Sequence, residues 1–382
     1  MYLNWQYNPI LIAGRQLYER MQHHALKSDS GSTDTPRWLL PGEYNGEHVA
    51  IVSYPRSGNS LMRGLLEKVT GVYTGCDTRP DRSLSQELQN YGMKGEGVVD
   101  DSVWFVKTHF PERPGWKPFK INKAILVVRN PWDAIDSYFN MMLTKSHNKS
   151  LHESQYERFA ERWDGLLRNE IDVWMKFHHY WMSKVDIPII VVRYEDLLVH
   201  RADTLRRVFM FLTDKPSIEG TKWETRIRDV MATSGENSGP YAPRSGKIGG
   251  SFRHYSEEQF QYILKTAKLP LRGFGYDPVT QDFPNDLSAP HRQVKPASKP
   301  GKEMEIEPKS KVEIRKRNDP HGRLATKYRK MLTHPVIASD GTPLNMDEVE
   351  SARRFQKQQE EKKAATTAAA AAAVNDDREI QT

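Results

Sequence analysis

Four apolar runs punctuate the first half of the chain: "HVAIVSY" (48–54), "VWFVKTH" (103–109), "KAILVVR" (123–129) and "IPIIVVR" (187–193). Each is rich in β-branched residues and nearly continuous rather than alternating, the pattern of strands buried on both faces of a parallel sheet. Between them the period lengthens to that of helices: "SLMRGLLEKV" after the first run, "PWDAIDSYFNMML" after the third and "ADTLRRVFMFL" after the fourth. The stretch "YERFAERWDGLLRNEIDVWMKFHHYWMSKV" is also helical and supplies the long crossover before the fourth run. Strands alternating with helices predict an α/β fold with a doubly wound, mainly parallel sheet. A strand, tight turn and helix at residues 49–69, "VAIVSYPRSGNSLMRGLLEKV", form a P-loop-like opening to it.

Composition changes beyond about Ser288, where "SAPHRQVKPASKPGKEMEIEPKSKVEIRKRNDPHGR" is rich in Lys, Pro, Glu and Ser and poor in large apolar residues. Close to the end, "RRFQKQQEEKKAATTAAAAAAV" runs from charged residues into an alanine tract. Such a segment buries too little apolar surface to offset the entropy of ordering. The expected organisation is an N-terminal extension (1–46), one α/β domain (47–287) and a disordered or loosely helical tail (288–382). With 37% hydrophobic residues, the 382-residue chain has room for one large domain and these extensions. The net charge of +7 suits an anionic ligand, although a basic tail accounts for it equally well. Acidic residues interrupt the tail's basic ones and no aromatic stacking pattern accompanies them, so nucleic acid is not an expected partner. Cys76, the single cysteine, excludes an intrachain disulfide and points to a reducing compartment. The N-terminus lacks the pattern of a secretory signal, and no apolar run approaches the ~18 residues of a membrane span, so the expected location is cytoplasmic.

Polar chemistry gathers where the apolar runs end: Tyr54-Pro55-Arg56-Ser57, Lys107-Thr108-His109, Arg129-Asn130-Pro131 and Arg193-Tyr194-Glu195-Asp196. Open parallel sheets bind ligands outside the carboxyl ends of their strands, so four such ends converge on one crevice. In the first loop Gly58 admits a close backbone approach, and the amides of Ser57 to Leu61 lie at a helix start that favours an anion. The loop is not G-x-x-x-x-G-K-[ST]; the missing Walker lysine and the missing Mg²⁺-binding hydroxyl after it argue against a nucleotide-hydrolysing or kinase site. Lys107 and His109 stand two apart at a strand end and share a face. An imidazole to take a hydroxyl proton beside a cation to neutralise a transferred anion suits group transfer to an alcohol. Arg129 and Ser137, the latter about two turns into the following helix, can hold one phosphate together. No cysteine cluster or H-E-x-x-H pattern calls for a metal.

"YPRSGNS", "KTHFP", "RNPWDAIDSYFN" and "VVRYEDL", in this order, resemble the sulfotransferase family, whose members use 3'-phosphoadenosine 5'-phosphosulfate (PAPS). Cytosolic members show Y-P-K-S-G-T-T, K-T-H-L-P, R-N-x-x-D-x-x-x-S-Y and Y-E-D. "PRSGKIGGSFRHYS" (243–256) is similar to their late R-K-G-x-x-G-D-W-x-x-x-F-[TS] segment, so the likeness runs from roughly Val49 to Ser256. It implies that Arg56 assists the leaving phosphate oxygen and that Ser57, Gly58, Asn59 and Ser60 cradle the 5'-phosphate. Lys107 would stabilise the transferring sulfuryl group, with His109 as general base. Arg129 and Ser137 would bind the 3'-phosphate, Tyr194 would lie near the adenine, and Arg244, Ser245 and Gly246 would close over the 3'-phosphate.

Departures accompany the likeness. Arg56 stands where cytosolic members carry lysine, as in tyrosylprotein sulfotransferases, and an arginine acts electrostatically rather than as a proton donor at neutral pH. Leu61 replaces the usual adenine-stacking tryptophan, and Ser245 replaces a lysine that Lys247 can offset. The expected activity is sulfuryl transfer from PAPS, without a metal, to a hydroxyl or amine of a small-molecule, carbohydrate or peptide acceptor. The alternative is a non-catalytic nucleotide- or sulfate-binding protein on the same fold. Acceptor contacts are expected from residues 75–99, from the Trp163–Trp181 region, whose aromatics suit a core equally well, and from the loop "MATSGENSGPYAP".

Overall fold

A computed structural model describes residues 35–44, 46, 48–113, 115–233, 247–276, 294–299, 301–307, 336–337 and 343–344. In chain order the elements that build the domain are β1 (Val49–Ser53), α1 (Asn59–Thr70), β2 (Gly75–Cys76), α2 (Ser83–Asn90), β3 (Phe105–Thr108), β4 (Phe119–Ile121) and β5 (Lys123–Val128). They continue with α3 (Pro131–Thr144), α4 (Ser154–Arg158), α5 (Ala160–His179), β6 (Ile189–Arg193), α6 (Tyr194–Val199), α7 (Arg201–Leu212) and α8 (Lys222–Thr233). After these come α9 (Glu257–Thr266), α10 (Lys268–Gly273), β7 (Val294–Lys295) and β8 (Met304–Ile306).

The sheet runs β2-β3-β1-β5-β6-β7, with every pairing parallel except that of β6 with β7. All six residues of β5 are buried, as its unbroken apolar run predicts for a strand covered on both faces. On one face Trp132, Phe139, Trp163, Trp174 and Trp181 pack against the alternate strand residues Ala50, Val52, Ala124 and Leu126. On the other, Leu65, Leu66, Val208, Phe209 and Trp223 cover Val49, Ile51, Ile125 and Val127. The tryptophans of the 163–181 stretch are therefore core. The long helical stretch before β6 is not one helix: it divides at Phe159, and a π-helical turn, Tyr180–Lys184, ends it.

Helix ends follow their local chemistry. Pro131 opens α3 where its missing N–H costs nothing, and the Asn130 side chain accepts from Asp133 N at 2.9 Å. Gly71 ends α1 in the left-handed region, returning its N–H to Glu67 O at 2.8 Å. Ser256 and Gln259 form a reciprocal capping box on α9.

Part of the chain beyond 288 does pack on the domain, contrary to what its composition suggests. Val294–Lys295 adds antiparallel to β6, and Met304–Ile306 adds antiparallel to β4. Ile306 is 1% exposed and joins the core, while Lys302 pairs with Asp186 at 2.7 Å. Two short strands suffice because they borrow an existing edge and an existing apolar face, which composition averaged over a tail does not register.

Candidate active site

β1 sits between β3 and β5, and the chain leaves it first toward one side of the sheet and later toward the other. This reversal opens a crevice beyond the strands' carboxyl ends. The cleft there measures about 1410 Å³ and is bordered by the loops after β1, β2, β3 and β5, by α3 and by residues 247–254. That exceeds the ~300–1,000 Å³ usual for a single small ligand and leaves room for two molecules side by side.

The loop after β1 is shaped by two left-handed residues, Arg56 (φ 66°) and Gly58 (φ 97°). At Gly58 a Cβ would come within 2.3 Å of Tyr194 Cδ2, so only glycine lets the loop lie against that ring. Asn59 Nδ2 donates to Ile51 O at 3.0 Å and Ser53 Oγ at 3.1 Å. Its side chain thus braces the loop on β1 and leaves only its backbone at the helix start. Ser57 Oγ is buried and has no hydrogen-bond partner among the described residues. Such a hydroxyl, beside the first amides of α1, suits an anion.

Arg56 turns toward α3. Its Nε donates to Ser137 Oγ at 3.1 Å, and its terminal nitrogens lie 2.8 Å from His147 Nδ1 and 3.2 Å from His147 O. Two residues expected at opposite ends of the bound nucleotide therefore touch directly. Arg129 donates to Arg56 O at 3.0 Å and stacks 4.6 Å above the Tyr194 ring. Its Nε is buried without a partner among the described residues. Ser57 Oγ, buried beneath the loop, and Arg129 Nε, behind a guanidinium that borders the cleft, are thus unsatisfied donors among the described residues, and Arg129 suits a phosphorylated ligand.

On the opposite wall Lys107 Nζ donates to Thr78 Oγ1 at 3.2 Å. His109 follows β3, and its Nδ1 lies 2.7 Å from Ser53 O. A carbonyl can only accept, so this contact places the proton on Nδ1 and leaves the lone pair on Nε2. Burial first, then the Lys107 charge, hold the imidazole's pKa well below its ordinary value. A neutral imidazole with a free Nε2 is the form able to take a proton.

Sequence reasoning missed several contributors. Asp133 and Asp136 on α3 tie down the late segment: Asp133 accepts from Gly249 N at 2.8 Å and Ser251 N at 3.1 Å. Asp136 accepts from Ser251 Oγ and contacts His254 Nδ1, both at 2.9 Å, and takes the Tyr156 hydroxyl as well. Their i, i+3 spacing in "PWDAID" was the available signal. Glu195 and Asp196 serve the fold. Glu195 accepts from Asn130 N at 3.1 Å and Tyr276 Oη at 2.7 Å, and Asp196 pairs with Arg193 at 2.8 Å. On the cleft wall Arg113 donates to Tyr138 Oη at 2.7 Å, and in the core Tyr54 Oη donates to Glu170 at 2.6 Å. Residues of the 75–99 stretch, Asp77, Thr78 and Arg82 among them, line the cleft as expected. Arg244, Ser245, Gly246 and most of the "MATSGENSGPYAP" loop lie outside the described residues. Among the described residues no helix is long and apolar enough to cross a membrane.

The family model described as "Sulfotransferase domain" matches residues 46–234. A WSCD family member of Aedes aegypti is 34% identical over 167 residues, covering 44% of this chain and 50% of that protein. Sulfotransferase 6B1 of Danio rerio is 26% identical over 239 residues, covering 59% of this chain and 79% of its own length. Among solved structures, mouse sulfotransferase SULT7A1 complexed with PAP aligns over 69% of this chain and 93% of that one, with a TM-score of 0.38 and 16% identity. The chain spans about half the length of the WSCD relatives it matches. The matched region takes in the loop after β1, the Lys107–His109 strand end, α3 and Tyr194, and the chain belongs to the sulfotransferase family.

Proposed function

We propose that this protein transfers a sulfuryl group from PAPS to a hydroxyl or amine of a small-molecule, carbohydrate or peptide acceptor. The observation that carries the reading is the 2.7 Å contact of Ser53 O with His109 Nδ1, which leaves Nε2 unprotonated in the cleft that also holds Lys107. Binding alone needs no base, so this arrangement favours an enzyme over a non-catalytic binder. PAPS supplies an activated sulfuryl group whose leaving group is 3'-phosphoadenosine 5'-phosphate (PAP).

The chain's own residues then divide the work. Ser57 Oγ, the amides of Gly58, Asn59 and Ser60 and the Arg56 guanidinium hold the 5'-phosphate end. Arg129 and Ser137, joined by Arg244, Ser245 and Gly246, hold the 3'-phosphate, and the Tyr194 ring borders the adenine. His109 Nε2 takes the acceptor's proton while Lys107 offsets the negative charge carried between donor and acceptor. No metal is required for these roles. A cytoplasmic location fits the single buried thiol of Cys76.

Two measurements test the reading. Calorimetric titration with PAP should show binding that ATP with Mg²⁺ does not match. Radiolabelled PAPS should transfer label to at least one member of a panel of phenols, steroids, sugars and tyrosine peptides. PAP binding without transfer to any acceptor would favour the binding-protein alternative, and stronger binding of ATP with Mg²⁺ would overturn the cofactor.

A further inference from the structure

Asp77 is 2% exposed, yet its carboxylate stands on the wall of the cleft, directly after β2. A buried carboxylate is costly unless its oxygens are used. Here Oδ2 accepts from Thr108 Oγ1 at 2.5 Å. The Thr108 oxygen in turn accepts from Phe110 N at 3.0 Å. These two bonds bracket His109 on both sides. Threonine has one hydroxyl proton; the carboxylate takes it and so points the oxygen's lone pair at the Phe110 N–H.

The backbone around Asp77 is equally committed. Its N–H donates to Lys107 O at 3.0 Å, and its carbonyl accepts from Trp116 N at 2.9 Å. A Cβ on Gly115 would lie 2.8 Å from Oδ2, so the glycine is what leaves the carboxylate its place beside Thr108. The next residue, Thr78, accepts from Lys107 Nζ. One short segment thus reaches the Lys107 side chain through Thr78 and the backbone on either side of His109 through Thr108.

We propose that Asp77 is a positioning residue for sulfuryl transfer: by fixing the Thr108 hydroxyl, and through it the Phe110 N–H, it holds the backbone that carries His109 so that the imidazole meets Ser53 O in its Nδ1–H form. The inference deepens the function proposed above and rests on it. Asp77 is distinct from a proton acceptor: its Oδ2 is occupied by Thr108 and the residue is almost wholly enclosed. Burial raises its pKa to about 6, opposed by the Lys107 charge, so the carboxylate is ionised at neutral pH as a hydrogen-bond acceptor must be.

The full chain carrying Thr108→Val, Thr108→Ser or Asp77→Asn provides the test. Thr108→Val removes the relay while keeping the side chain's shape. It should lower kcat by roughly 10–100-fold, the scale of a misplaced catalytic group, and leave PAP affinity unchanged. Thr108→Ser keeps the hydroxyl and should restore kcat. Asp77→Asn should fall between the two. Nitrogen NMR of the His109 imidazole reads the tautomer without any turnover. It should show one Nδ1–H form in the parent and in Thr108→Ser, and mixed tautomers in Thr108→Val. Should Thr108→Val fail to fold, the tautomer and kcat of Asp77→Asn, set against Thr108→Ser, decide the matter. An unchanged tautomer and unchanged kcat in Thr108→Val would overturn the proposal. So would an inactive Asp77→Asn beside a fully active Thr108→Val, which would make Asp77 the base itself. Loss of PAP binding by the parent protein would refute the proposed function, while the tautomer result would stand independently.

Discussion

The carbonyl of Ser53, the last residue of β1, meets Nδ1 of His109, the first residue beyond β3, at 2.7 Å. The two residues are 56 positions apart in the chain, and the parallel pairing of β1 with β3 brings them together. A backbone carbonyl thereby selects the tautomer of the candidate base. Replacing the imidazole tests the consequence. His109→Ala should lower kcat by roughly 10²–10⁴-fold, the range for a positioned proton acceptor. PAP affinity should stay as it was, because the phosphate-facing groups lie elsewhere. Steady-state turnover paired with calorimetry checks both halves, and a fully active variant would refute the assignment.

Arg129 offers the opposite separation. Its Nε is buried without a partner among the described residues, and its guanidinium is held over Tyr194. Arg129→Ala should weaken PAP binding by roughly 10–100-fold, the equivalent of one charged hydrogen bond at about 1.5–3 kcal/mol. Turnover at saturating PAPS should be less affected than affinity.

Gly58→Ala probes the loop itself. The substitution places a methyl group 2.3 Å from Tyr194 Cδ2 at a residue with φ 97°. A cost of about 1–3 kcal/mol in stability is expected from the backbone conformation alone. Urea melts should register it, along with weaker PAP binding as Tyr194 is displaced. Native stability and affinity in this variant would mean that the loop relaxes away from the ring.

Ending the chain after residue 293 removes β7 and β8. The core loses Ile306, 1% exposed, a loss of about 2 kcal/mol for one buried aliphatic side chain. The Lys295 bond to Trp181 O and the Lys302–Asp186 pair go with it. The shortened protein should melt several degrees lower, whereas one ending after residue 307 keeps both pairings and should retain more stability. Equal melting temperatures for the two would show that these strands add nothing.

Acid should destabilise the fold through its buried imidazoles. Burial lowers the pKa of His48 to about 4 and of His178 to about 3, against an ordinary 6.5. At pH 7 both are neutral in the folded chain and mostly neutral in the unfolded one, so no protonation penalty applies there. As pH falls below 6.5 the unfolded chain binds protons that the folded one refuses, and stability declines by about 1.4 kcal/mol per pH unit for each group until its folded pKa is reached. Asp77, raised to about 6, acts in the other direction between pH 6 and 3.8, but only partly offsets two histidines. Melting temperature should fall steadily from pH 6.5 to 4. Removing both imidazoles by substitution should flatten that slope.

The four central strands, the helices after β1, β5 and β6, and the gathering of Arg56, Lys107, His109 and Arg129 at the carboxyl ends of the strands were legible in the sequence. Those features depend on local periodicity and on the rule that parallel strands present their ends together, and both are written in contiguous residues. Ser57, Gly58 and Arg129 were legible as candidates for the same reason. What lay beyond the sequence depends on distance across the fold. The tautomer of His109 needs Ser53, the Arg56–Ser137 contact needs β1 and α3 side by side, and Asp133 and Asp136 acquire their role only when residues 249–254 fold back on them. The strands at 294–295 and 304–306 were hidden in a segment whose average composition is that of a tail. Two or three residues of pairing carry almost no periodic signal, and their stability comes from a sheet edge and an apolar face supplied by residues more than a hundred positions away. Sequence alone therefore determined which side chains stand at the strand ends, and tertiary structure decided which hydrogen bonds orient them, because such orientation is a property of groups that meet only after the chain has closed.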